Sequence, residues 1–121
     1  MPPPPNAYRD DQDKAPLALL DPYALTQMAW VLGFGAQKYS AHNWRDGIEV
    51  SRHISSAMRH LIALNAGEDT DPESGLPHAA HLACCAMMLT WSMAHRPDLD
   101  DRWATSQAAL ATVGIEPNGG D

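Results

Sequence analysis

The sequence predicts an all-α protein, a compact helical bundle of about four helices completed by oligomerisation. Three observations carry that expectation. Apolar residues recur at three- and four-residue spacing through the middle of the chain, while no stretch alternates as a strand would. The length, 121 residues with 45% hydrophobic, suits one small domain. Trp30, Trp91 and Trp103 are large for so small a bundle. Short helices bury limited area alone, so leftover apolar surface would meet a second copy of the chain.

The elements follow in order. Residues 1–16 are Pro-rich and charged and read as a flexible arm. Residues 17–113 form the helical domain, and 114–121, ending Pro-Asn-Gly-Gly-Asp, a loose tail. Asp21 followed by Pro22 supplies an N-cap acceptor and a first-turn proline. Leu25, Met28, Ala29 and Leu32 then repeat at helical spacing, and Gly33 and Gly35 either weaken the end of that helix or allow close packing. Residues 40–50 read as a loop. A second helix is expected from 51 to 66, with Ile54, Ala57, Met58, Leu61 and Leu64 on its apolar face. Arg52, Ser56 and Arg59 fall opposite, and His53 and His60 at the edge between. Gly67 ends it. A third helix runs from near Pro77 to about His95, with His78, His81, Leu82, Cys85, Leu89 and Ser92 sharing one side. A short fourth is expected over roughly 100–112.

Eight Lys and Arg stand against fifteen Asp and Glu, a net charge of −7. Such a balance argues against a nucleic-acid polymer as partner, because that binding neutralises phosphates, although a local basic cluster can still hold one small anion. No apolar run reaches the roughly 18 residues of a membrane span, so no membrane partner is expected. The N-terminal MPPPP has neither the basic nor the apolar region of a signal peptide. Cys84 and Cys85 are sequence neighbours inside an apolar run, badly placed to bond each other. They read as reduced core residues, and the expected location is cytoplasmic.

Chemistry concentrates in residues 67–81, GEDTDPESGLPHAAH. Glu68, Asp69, Asp71 and Glu73 precede a Ser-Gly-Leu-Pro turn, and His78 and His81 follow it, at the start of a helix. Helix N-termini expose N–H groups and favour anions. Two neutral imidazoles there suit a metal ion or a phosphate, and the carboxylates suit a hard cation such as Mg²⁺ or Mn²⁺. The plainer reading is a solvated, capping loop with buried, satisfied histidines. Lys38, Arg45, Arg52 and Arg59 can face phosphates or be ordinary surface charge. Tyr39 and Trp44 can stack on a base or fill the core; Asn43 can read a base edge or cap a turn. No P-loop, H-E-x-x-H, C-x-x-C, G-x-S-x-G or His-Asp dipeptide is present.

The runs FGAQKYSAHNWRDGI and AMRHLIALNAGEDTDPESGLPHAAHLACCAMML resemble a phage-associated dATP/dGTP diphosphohydrolase family, over about residues 20–95. The most specific part is GED-x-DPESGLPH-x-x-H. That family is in turn similar to the MazG-like all-α nucleotide pyrophosphohydrolases, which cut a nucleoside triphosphate to monophosphate and diphosphate with Mg²⁺. Their E-x-x-E and E-x-x-D metal motifs are missing here: the second helix offers His53, Ser56, Arg59 and His60, and the third His78 and His81.

Two functions follow. The first is a metal-dependent purine nucleotide phosphohydrolase of the dNTP diphosphohydrolase kind, in the host cytoplasm if phage-encoded. In it, Glu68, Asp69 and Asp71 would hold Mg²⁺ or Mn²⁺, and His78, His81 and Glu73 would be catalytic. Lys38, Tyr39, Asn43, Trp44, Arg45, Arg52, Arg59, His60, Ser74 and Gly75 would bind the nucleotide. The alternative is a nucleotide-binding protein without turnover, a sponge that sequesters a host signalling nucleotide. Either is expected as a homo-oligomer.

Overall fold

In a computed structural model, which describes residues 13–103 and 111–115, the described residues form three long helices. The first, α1, spans Pro22–Lys38 and starts as the Asp-Pro pair predicts: the Asp21 side chain accepts from the Ala24 N–H at 2.8 Å. It runs straight through Gly33 and Gly35. A β-carbon at either would meet nothing within 4 Å, so these glycines mark neither a helix end nor a close approach within the chain.

The second helix, α2, spans Val50–Asn65. Gly67, at φ 94°, closes it in a left-handed turn. The Glu68 N–H donates to the Ala63 carbonyl and the Gly67 N–H to Leu64, both at 3.0 Å. That pairing is the Schellman termination, and it aims residues 68–77 back along the helix. Helix α3, His78–His95, follows with Pro77 as its N-cap. Short 3-10 turns cover Leu17–Leu19, Asn43–Asp46 and Pro97–Leu99.

Among the described residues there is no strand, only an isolated bridge between Thr70 and Pro77. It folds the 67–77 loop onto itself, with Asp71 N–H donating to the Leu76 carbonyl at 2.9 Å and Gly75 N–H to the Asp71 carbonyl at 2.8 Å.

Helix α3 is central, packed on α2 and on α1. Toward α1 it buries Ala80 and Cys84 against Val31, with Met28, Leu32 and Leu76 around them. The Cys84 thiol also donates to the Met28 carbonyl. Toward α2 it presents His78, His81 and Cys85, whose thiol reaches the Ser56 hydroxyl at 3.6 Å. Both cysteines are free and buried, as expected, and burial pushes the Cys84 thiol up to about 11, so it stays a thiol.

One expectation is overturned at α2. Met58 and Leu61, assigned to its buried apolar face, are more than half exposed, as is Ile62. Val50 and His53 are the buried residues instead, and Ser56 and His60 contact α3. The reason lies in the partner: α3 meets α2 with imidazoles and a thiol, so His53, Ser56 and His60 turn inward, Ile54, Ala57 and Leu64 stay half-buried, and Met58, Leu61 and Ile62 are left outside. The expected fourth helix does not begin at 100, since 100–103 are not helical, and its residues 104–110 lie outside those described. Residues 1–12 of the arm and 116–121 of the tail lie outside them too.

Candidate functional site

The site grows from the 67–77 loop. Asp71 and Ser74 form a tight turn in which the Ser74 N–H donates to Asp71 Oδ2 at 3.0 Å. The Ser74 hydroxyl lies 2.8 Å from the same oxygen, 2.7 Å from His81 Nε2, and 3.2 Å from the Leu76 N–H. One hydroxyl has one hydrogen and two lone pairs. A carboxylate only accepts, so the hydrogen goes to Asp71, and His81 Nε2 and Leu76 donate. His81 therefore carries its hydrogen on Nε2 and has its lone pair on Nδ1.

A second chain of contacts runs beside the first. Glu68 Oε1 lies 2.7 Å from His78 Nε2, and His78 Nδ1 lies 2.8 Å from His60 Nδ1. A carboxylate only accepts, so His78 Nε2 carries a hydrogen; a neutral His78 then has its lone pair on Nδ1 and takes a hydrogen from His60 Nδ1. The lone pair of His60 is then on Nε2. The His60 and His81 rings stack at 4.5 Å with a 10° interplanar angle. Three imidazoles from two helices are thus locked together by two carboxylates and a serine.

The electrostatics suit neutral rings at His60 and His81. Burial pushes His60 down, reinforced by His81 and His78. Burial likewise pushes His81 down, against the pull of Asp71, whose Oδ2 is 3.5 Å from Nε2. Burial acts to raise the Asp71 carboxyl, but the Ser74 hydroxyl and N–H, with His81 and His60, outweigh it and hold it below its ordinary value.

This cluster lines one side of a cavity of about 990 Å³, large enough for a nucleotide. Lys38, Tyr39, Asn43, Trp44, Arg52 and Arg59 line it as well, so three separate segments converge on one space. The loop that brings Asn43 and Trp44 turns at His42, which adopts a left-handed φ of 62°. Tyr39 is two-thirds exposed and so free to stack. Trp44 meets the Trp91 ring edge-on at 5.2 Å, with the Arg45 guanidinium over both rings. Arg45 does not line the cavity. Lys38 pairs with Glu73 across its rim at 2.6 Å. Arg52 lies 3.6 Å from Glu49, and Arg59 has no ion-pair partner among the described residues.

Other expected residues sit differently. Ser74 and Gly75 do not line the cavity; Ser74 is saturated by His81, Asp71 and Leu76, and Gly75 forms the turn at φ 72°. The N-terminal N–H groups of α3 are largely taken by its own loop, with His78 donating to the Asp69 carbonyl and Ala80 and His81 to Pro77. Glu68, Asp69 and Asp71 do not converge. Among the described residues, no group of three or more His, Cys, Asp or Glu side chains could hold a metal ion. Glu68 and Asp71 each spend an oxygen on the imidazole and serine network.

His53, noted in the sequence at the edge of the second helix but not among the expected site residues, is 4% exposed and lines the cavity with its Nε2 sealed and unpaired. One feature was not singled out from the sequence. Asp101 caps α2 from 50 residues away, its carboxylate accepting from the Ser51 N–H at 2.8 Å and from the Ser51 hydroxyl. No local pattern announces such a cap.

Comparison with known proteins adds the remaining evidence. Residues 5–102 match the family described as dATP/dGTP diphosphohydrolase, N-terminal. A dATP/dGTP diphosphohydrolase of Salmonella phage PMBT28 is 42% identical over 97 residues, covering 79% of this chain and 33% of that protein. The chain thus spans about a third of the length of that curated relative. No solved structure matches, and no described helix is long and apolar enough to cross a membrane.

Proposed function

The chain belongs to the dATP/dGTP diphosphohydrolase N-terminal family, and from that premise we propose that it hydrolyses purine deoxynucleoside triphosphates to the monophosphate and diphosphate. The observation that carries the reading is the shared lining of one cavity, which brings the linked imidazoles of His60, His78 and His81 together with Arg59, Arg52, Lys38 and Tyr39. On a chain of net charge −7, a polyphosphate needs such a local cationic rim to approach at all. Arg59 is the cation best able to follow charge onto a departing phosphate, having no competing carboxylate among the described residues. Lys38 would exchange its surface contact with Glu73 for phosphate. Tyr39 offers a ring face to the base, and a π-face suits adenine and guanine alike.

The imidazole wall supplies the proton acceptor for water. Buried, lowered imidazoles are unprotonated near neutral pH, as a general base must be. A cation fits here as the nucleotide's own companion: with Glu68 and Asp71 engaged, Mg²⁺ or Mn²⁺ would enter on the phosphates as part of the substrate. The nucleotide pool places the activity in the cytoplasm, of the host if the chain is phage-encoded. A homo-oligomer belongs to the same proposal, closed over the outward apolar stripe of α2.

The test incubates the purified chain with dATP, dGTP, dCTP and dTTP, with Mg²⁺, with Mn²⁺ and with chelator, and separates the products by ion-exchange chromatography. Release of dAMP or dGMP together with diphosphate, lost in Arg59→Ala, is the expected outcome. Recovery of all four triphosphates intact would end the hydrolase reading for this chain.

A further inference from the structure

The sequence points to His78, His81 or Glu73 for the catalytic role, but the hydrogen bonds distribute the lone pairs otherwise. We propose that His60 is the water-activating base, acting through Nε2, and that Glu68 and His78 are positioning residues that fix its tautomer and receive its charge. This rests on the hydrolase reading above for its chemistry, though not for its geometry.

The geometry is a three-member line. Glu68 Oε1, His78 Nε2, His78 Nδ1 and His60 Nδ1 follow one another through contacts of 2.7 and 2.8 Å. His78 uses both ring nitrogens inward and is 4% exposed; it has no nitrogen left for water. His60 has. Its Nε2 has no hydrogen-bond partner among the described residues and is not among the sealed, unpaired side-chain atoms, so it is open to water on a ring that lines the cavity. Stacking on His81 fixes the plane of the ring. A base held by a second group that is itself held by a carboxylate follows the logic of a nucleophile–base–orienter triad, with an imidazole as the intermediate member.

The step balances as follows. A water oxygen bonds to phosphorus while its proton passes to His60 Nε2. The P–O bond joining the α- and β-phosphoryl groups breaks, and its electron pair leaves with the diphosphate. The hydrogen on His60 Nδ1 shifts toward His78 Nδ1, so the new positive charge moves one ring away from the reacting centre and comes to rest beside Glu68. After the products leave, the proton returns through His60 Nε2 to solvent. The charged and titratable groups facing His60 are Arg59 on its own helix, His78 and His81 on α3, and Asp71 on the loop.

The experiment has two arms. The first is a long-range ¹⁵N spectrum of the histidine-labelled full chain without nucleotide, which reads which ring nitrogen carries hydrogen. His60 is expected with hydrogen on Nδ1, and His78 with hydrogen on Nε2. His60 as the Nε2–H tautomer would overturn the proposal. The second arm is kinetic, with dATP. His60→Gln should lower kcat by about 10²- to 10⁴-fold, the usual worth of a general base. His78→Gln and Glu68→Gln should lower kcat with KM unchanged. Glu68 is more than half exposed, so its variant tests the relay even where the buried His78 variant fails to fold. Unchanged kcat in Glu68→Gln, or a loss confined to KM, would also overturn it. Absence of turnover in the unaltered chain would remove the hydrolase reading, while the spectrum would still decide the geometry.

Discussion

His53 is the residue most exposed to acid by the way it is buried. Its Nε2 is sealed and unpaired, and burial, with some help from Arg52, pushes its pKa down. A histidine whose folded value lies below its unfolded value takes its proton first in the unfolded chain. The stability it contributes is complete above the unfolded value, about 6.5, and is lost as pH falls through the folded value. His60 and His81 are lowered for the same first reason, burial, so all three act in one direction. The urea midpoint should therefore fall as pH is taken from about 7 to about 5, the unfolding free energy dropping by up to about 1.4 kcal/mol per pH unit for each proton taken up on unfolding. In His53→Gln the fall should be shallower. A midpoint independent of pH across that range would mean that the rings charge without penalty. At this scale the sequence was informative where partners are close along the chain. Asp71, Ser74 and His81 fall within eleven residues and do form one network. The pairing of His60 with His78 spans 18 positions and two helices, and depends on a rotation of α2 that composition does not set.

That rotation is the lesson of the elements. Helix starts and stops were legible because their signals are local: Asp21 and Pro22 begin α1, Gly67 ends α2, and Pro77 precedes α3, all within a residue or two of expectation. Which face of α2 turns inward was not legible, because amphipathicity assumes an apolar partner and α3 offers α2 a histidine-rich side. The start of α2 shows the same limit. Its N-cap residue, Glu49, makes no side-chain cap, and Asp101 supplies one instead, its carboxylate held down by the hydrogen bonds from Ser51. Removing an N-terminal cap destabilises its helix. Asp101→Ala should lower stability, read as a reduced thermal midpoint, and should loosen the Ser51 and Arg52 side of the cavity. Asp101→Asn, which keeps an acceptor, should recover most of the loss. Equal stability in Asp101→Ala and the unaltered chain would show that the 101–103 segment is not docked on α2 in solution.

For the whole molecule the question is what covers α2. Five hydrophobic residues are buried among those described, while Met58, Leu61 and Ile62 stand more than half exposed on one stripe and Tyr23 and Trp30 on α1. An exposed apolar stripe such as that of Met58, Leu61 and Ile62 marks an interaction surface. A second copy is the occupant we favour, because the stripe repeats identically on every chain and a two-fold axis pairs it with itself. The net charge of −7 on each chain opposes that pairing at long range, so the contact should tighten as salt screens the repulsion. Folding coupled to association makes the thermal midpoint rise with protein concentration. Leu61→Lys should therefore yield a lighter species by light scattering, with a midpoint that no longer depends on concentration. The imidazole network should stay intact, since Leu61 points away from α3. A chain that is monomeric at every concentration and salt, with Leu61→Lys indistinguishable from it, would leave the stripe to a different partner. The cavity, formed within one chain by α1, α2, the 40–44 loop and α3, would then have to work without a second copy.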